Sequence, residues 1–112
     1  MTVKELAEKM NFRNWTPDVS MDTHVTGGYA GDMLSWVMGK ATAGSVWMTI
    51  MSNQNVAAAA LMADVSCVVL TERVMPDDAL IKRAISRNLP IFTSPLSTYE
   101  LSYQLHEILA NE

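Results

Sequence analysis

Cysteine is almost missing from this sequence. A single one, Cys67, stands among 112 residues, which excludes an intramolecular disulfide and any zinc site built on several thiolates. Histidine is nearly as scarce, and His24 and His106 lack any metal-ligand spacing. Basic charge is short as well. Eight Lys and Arg against twelve Asp and Glu leave a formal charge of −4, so there is no basic face for a nucleic acid. No basic amphipathic stretch points to a membrane surface. The longest apolar run, Val56 to Ala63, is far too short to span a bilayer. The opening Met1-Thr2-Val3-Lys4-Glu5-Leu6 lacks the apolar core of a signal peptide, so the cytoplasm is the expected compartment.

What is present is apolar. Hydrophobic residues at 49 % suffice for one real core, and residues 1–112 read as one domain. Thr2-Val3-Lys4-Glu5 has the form of a capping box ahead of a helix over Val3–Met10. Asn11 to Met21 is poorly patterned and reads as a short strand or anchored loop around Trp15 and Val19. Val46–Ile50 and Cys67–Leu70 are continuous apolar runs, as expected for strands covered on both faces. Between them, Val56–Ala63 is alanine-rich and helical by propensity. Pro76-Asp77-Asp78 opens a helix with Leu80, Ile81, Ala84 and Ile85 on its inner stripe, and Asn88 suits its left-handed end. Pro90–Thr93 is a further strand. Ser97-Thr98-Tyr99-Glu100 is a second capping box, and Leu101, Leu105, Ile108 and Leu109 carry the last helix.

This alternation predicts an α/β fold: a single domain with a mostly parallel central sheet of four to five strands and helices on both faces. Thr26, Thr49, Thr71 and Thr93 recur every 22 or 23 residues, each at or near the end of an expected strand. That spacing matches one strand-plus-helix unit with short loops. Threonine also suits strand ends for purely local reasons.

The most distinctive stretch is Asp22 to Met38, which holds three of the five glycines. It reads as strand (Val25, Thr26), glycine turn (Gly27, Gly28) and helix. The paired glycines are expected to sit at the carboxyl end of the strand, at least one with positive φ. Asp32 is expected to cap the helix and Gly39 to end it.

Thr26-Gly27-Gly28-Tyr29-Ala30-Gly31-Asp32 resembles the DRTGG domain family, in particular its small stand-alone bacterial members. The likeness extends to the opening helix, to Trp47-Met48-Thr49-Ile50, and to Asn55 with its alanine helix. Members of that family occur in HPr kinase-like proteins, beside CBS domains in pyrophosphatases, and in phosphotransacetylases. The resemblance implies a regulatory or assembly module, not a catalytic one. Against the family's signature Asp22 is present, but Thr23 stands where the arginine is expected, so no ligand role for that arginine carries over.

In an open parallel sheet, ligands sit beyond the carboxyl ends of the strands. That edge is expected to collect Thr26, Gly27, Gly28 and Tyr29, then Ser52, Asn53 and Asn55, then Thr71, Glu72 and Arg73, then Thr93 and Ser94. Hydroxyls, amides, one cation and helix N-termini suit a phosphate-bearing molecule, a nucleotide or a phosphometabolite. The bland alternative is that these are turn and cap residues working locally. Nucleotide motifs fail: Gly39-Lys40 resembles the end of a Walker A loop, but Leu34 stands where its first glycine belongs and Ala41 replaces the magnesium-binding hydroxyl. Thr26, Gly28 and Gly31 match a dinucleotide fingerprint at only two of three glycines.

The expectation is a non-enzymatic regulatory module without a cofactor. Its ligand residues would be Thr26, Gly27, Gly28, Tyr29, Asp32, Thr49, Asn53, Asn55, Thr71 and Thr93. Trp15, Trp36 and Trp47 with nine methionines exceed what so small a core needs, which predicts a homodimer through the alanine helix and the Trp36 helix. The alternative is a protein–protein interaction or dimerisation module without a ligand, serving a protein partner in a metabolic or signalling system.

Overall fold

Two strands with no polar side make the centre of the molecule. In the computed structural model, which describes residues 1–112, β3 (Ser45–Thr49) and β4 (Cys67–Leu70) are buried along their whole length. Successive side chains on a strand point to opposite faces. Trp47, Val68 and Leu70 accordingly enter one core layer, and Val46, Met48, Cys67 and Val69 the other. Both layers need helices to cover them. The first is closed by α2 (Leu34–Lys40), α3 (Asn55–Ala63) and α4 (Asp78–Ser86). The second is closed by α1 (Val3–Met10) and α5 (Thr98–Ala110).

With β1 (Arg13–Asn14), β2 (Gly27–Ala30) and β5 (Ile91–Thr93), the sheet runs β1-β5-β4-β3-β2. The last four pair in parallel, and β1 lies antiparallel on β5, with Arg13 opposite Thr93. The expected α/β class, helices on both faces included, is observed. The largest buried side chains are Trp47 and Phe92, one in each layer. Each fully buried Leu, Ile or Phe contributes roughly 1.5–3 kcal/mol.

The Thr2–Glu5 capping box is present in both directions. The Ser97 box has its forward half, Ser97 Oγ accepting from Glu100 N at 3.1 Å. Asn88 is left-handed, φ 56°, as expected. Pro90 lies just ahead of β5, its carbonyl accepting from Val68 N at 3.0 Å.

The glycine stretch differs from expectation. Gly27 and Gly28 are the first two residues of β2, not a turn after it, and neither has positive φ. The reason is close approach: a Cβ on Gly28 would stand 2.7 Å from Leu105 Cδ2 of α5. The glycine that needs left-handed backbone is Gly44, φ 83°, packed on Thr26. Asp32 does not cap α2 either. Met33 holds that position without a side-chain bond, and Gly39 lies inside the helix, which ends at Ala41.

Candidate functional site

The carboxyl rim of the sheet is where strands β2 to β5 hand over to their helices. Thr49, Thr71 and Thr93 stand there, as the threonine spacing implies. Thr26 does not: it precedes β2, at the opposite end of the sheet, where its Oγ1 donates to Ala43 O at 2.7 Å. Gly27 shares that end, so the expected ligand residues do not share a single rim. Gly27 and Gly28 do border a cleft of about 300 Å³, but it lies between β2 and α5, lined also by Met48, Leu105 and His106.

Most rim side chains are spent on one another. Thr49 Oγ1 donates to Asp32 Oδ1 at 2.7 Å, and Ile50 N donates to the same oxygen at 2.9 Å. Asp32 thus braces the exit of β2 against that of β3. Asn53 Oδ1 accepts from Asn55 N at 2.9 Å in the loop before α3. Thr71 and Thr98 share a hydroxyl bond of 2.6 Å, and Thr93 Oγ1 accepts from Trp15 Nε1 at 2.9 Å.

One place on the rim is different. The chain leaves β4 for α4 on one face of the sheet and leaves β5 for α5 on the other. Neighbouring loops that diverge to opposite faces open a crevice, the position at which ligands enter open α/β sheets. The loop after β4 is unusual in its backbone. Glu72 and Arg73 are both left-handed, φ 59° and 63°, a conformation costing each non-glycine residue roughly 1–2 kcal/mol. It is held by Glu72 N donating to Leu96 O at 2.9 Å and by the Glu72 carboxylate accepting from Thr98 N at 3.0 Å. Glu72 is thereby turned to the start of α5.

Beside this loop lies a cleft of about 250 Å³ whose walls include Asn11, Arg13, Arg73, Thr93 and Ser94. Arg13 comes from β1, its guanidinium 4.0 Å over the Trp15 ring. Neither arginine is paired with a carboxylate; the one ion pair joins the Met1 amine and Glu112. The sequence alone identified Arg73 as the rim's single cation and missed Arg13, since a two-residue antiparallel strand leaves no periodic signal. No group of three or more His, Cys, Asp or Glu is placed to hold a metal. Cys67 is buried at the start of β4, and desolvation pushes its thiol up to about 12.

A family model described as DRTGG domain matches residues 19–108. The chain belongs to the DRTGG domain family. Set without a gap against the five letters of that name, Thr26-Gly27-Gly28 takes the last three, so the arginine position falls on Val25 and not, as expected, on Thr23; Val25 is buried in the layer under α1. No curated protein matches the sequence. Among solved structures the DRTGG domain is similar to one whose printed description is the CBS and DRTGG domains of the regulatory region of Clostridium perfringens pyrophosphatase, complexed with its activator diadenosine tetraphosphate. The TM-score is 0.72 at 12% identity, over 93% of this chain and 45% of that one. At that identity the likeness establishes the fold, and this chain spans less than half of the neighbour's length. No helix here is long and apolar enough to cross a membrane.

Proposed function

We propose that this DRTGG domain is a non-catalytic regulatory module that takes a small phosphate-bearing ligand at the carboxyl rim of its sheet. The observation that carries the reading is the crevice between the exits of β4 and β5, where α4 and α5 depart to opposite faces beside a cleft with basic and hydroxyl walls. The left-handed pair at Glu72 and Arg73 supports it, because backbone strain of this kind tends to collect at ligand clamps. The regulatory region with the similar fold is one crystallised with a dinucleotide activator, which favours a nucleotide among phosphate-bearing candidates.

In this reading the site lies at the exits of β4 and β5. Thr71 and Thr93 belong to it, Thr49, Asn53 and Asn55 share its rim, and Tyr29 and Asp32 lie towards the β2 exit. Thr26, Gly27 and Gly28 are no part of the proposed site. A thermal-shift screen against nucleotides and phosphometabolites tests the proposal. A ligand that binds only the folded state raises the melting temperature progressively with its concentration. A flat response across the whole panel at millimolar ligand would remove the reading.

One observation favours a second reading, an assembly module. Met33 and Trp36 on and beside α2, Leu61 and Met62 on α3, and Ile85 on α4 are exposed on the helical face. Exposed apolar groups in that number suit a homodimer or a protein partner. Of the four alanines expected to join that surface, Ala57, Ala59 and Ala60 are buried inside the domain and only Ala58 is free.

A further inference from the structure

We infer that Arg13 and Arg73 form a two-armed clamp for a terminal phosphoryl group, and that this clamp selects oligophosphates over neutral ligands. The inference rests on the proposed rim site and names the chemistry it would recognise. Two guanidinium-bearing residues line one small cleft in a domain whose formal charge is −4. Like charges brought into one cleft repel, and here no carboxylate compensates either of them. The nearest acidic neighbour in sequence, Glu72, spends its carboxylate on Thr98 N. An anion between the two arginines supplies the missing countercharge.

Planar guanidinium groups match phosphate oxygens in paired, charge-assisted hydrogen bonds. Asn11 and Ser94 add neutral polar groups to the same wall. Size narrows the ligand. Sites for whole drug-sized molecules are about 300–1,000 Å³, and this cleft is about 250 Å³. It holds a phosphoryl or pyrophosphoryl end, with the rest of any nucleotide lying outside over the rim. The two arms reach the cleft from distant parts of the chain. Arg13 stands on β1, fixed by pairing with β5 and by stacking on Trp15, and Arg73 on the left-handed turn after β4. Binding therefore ties β1 to the β4 loop.

The test is a titration of the isotope-labelled full chain with inorganic pyrophosphate, followed by amide and arginine side-chain NMR at fixed ionic strength. The expected result is movement of the Arg13 and Arg73 side-chain N–H signals, with amide shifts across Thr71–Val74 and Thr93–Ser94. Arg13→Gln and Arg73→Gln should each weaken binding about tenfold or more, as loss of a charge-assisted bond implies. Lysine at either position should restore part of it. Both arginines are exposed, so the variants should fold, and the wild-type side-chain signals decide the matter without them. Equal binding by both glutamine variants, or shifts confined to Ser52–Asn55, would overturn the clamp and leave the rim reading standing. No shift with pyrophosphate and none with any nucleotide would overturn both.

Discussion

Gly28 on β2 lies so close beneath Leu105 of α5 that a Cβ added to the glycine would stand 2.7 Å from the leucine Cδ2. Met48 Cε would be 3.3 Å away on the same side. The glycine is a seat for the last helix. Gly28→Val should therefore destabilise the domain by about 1–3 kcal/mol, the usual cost of overpacking. Gly28→Val with Leu105→Ala should cost less than the sum of the two single changes, because they share one contact. Urea unfolding of the four proteins measures it, and strict additivity would mean the helix does not rest there.

Asp32 acts as a brace and not as a ligand in this account. Its Oδ1 accepts from both Thr49 Oγ1 and Ile50 N. Asp32→Ala should cost about 1–3 kcal/mol in stability, since it strands a buried threonine hydroxyl. Ligand affinity at the β4–β5 crevice should stay unchanged. Paired denaturation and binding measurements on one variant separate the two effects.

Cys67 gives a pH dependence with a definite sign. Burial raises its thiol from 9.0 to about 12 in the folded state. Above the unfolded value the unfolded chain loses its thiol proton while the folded chain keeps it. Stability from this group is full below pH 9 and drains away as pH rises from 9 towards 12, by roughly 1.4 kcal/mol per unit. Cys67→Val should remove that slope in denaturation curves taken between pH 8 and about 10.5. The native thiol should also resist a thiol reagent at neutral pH until the protein unfolds, because the thiolate is the reactive form.

Assembly is checked by light scattering at micromolar concentration. The exposed Trp36, with Lys40 Nζ 4.5 Å from its ring centroid, stands on the face expected to pair two copies. The expected mass is that of a dimer, and Trp36→Glu should return it to a monomer. A monomeric wild-type protein across a wide concentration range contradicts the pairing.

Val46–Thr49 and Cys67–Leu70 were legible because a strand buried on both faces has no polar alternation. Thr2 with Glu5, and the left-handed Asn88, were legible because cap chemistry is local. Gly28 was not. A glycine demanded by left-handed backbone and one demanded by a neighbour's approach look alike in sequence, and the neighbour, Leu105, lies far down the chain. Asp32 is hidden for a similar reason: its partners, Thr49 and Ile50, are at the exit of the adjacent strand, and a carboxylate before a helix reads as a cap. Of the crevice, Arg73 and Thr93 were visible as rim residues. Arg13 was not, because only the pairing of β1 with β5 brings it to Thr93.

Hydrogen exchange, with and without the best nucleotide from the thermal-shift screen, is the sharpest test of ligand binding at the β4–β5 exits. Amides that gain a ligand contact or lose local opening exchange more slowly. Slowing is expected to concentrate in Thr71–Met75 and Thr93–Thr98, the two loops that part at the carboxyl rim. Slowing confined to Thr26–Gly31, or to the outer face of α2, α3 and α4, or no slowing at saturating ligand, would contradict it.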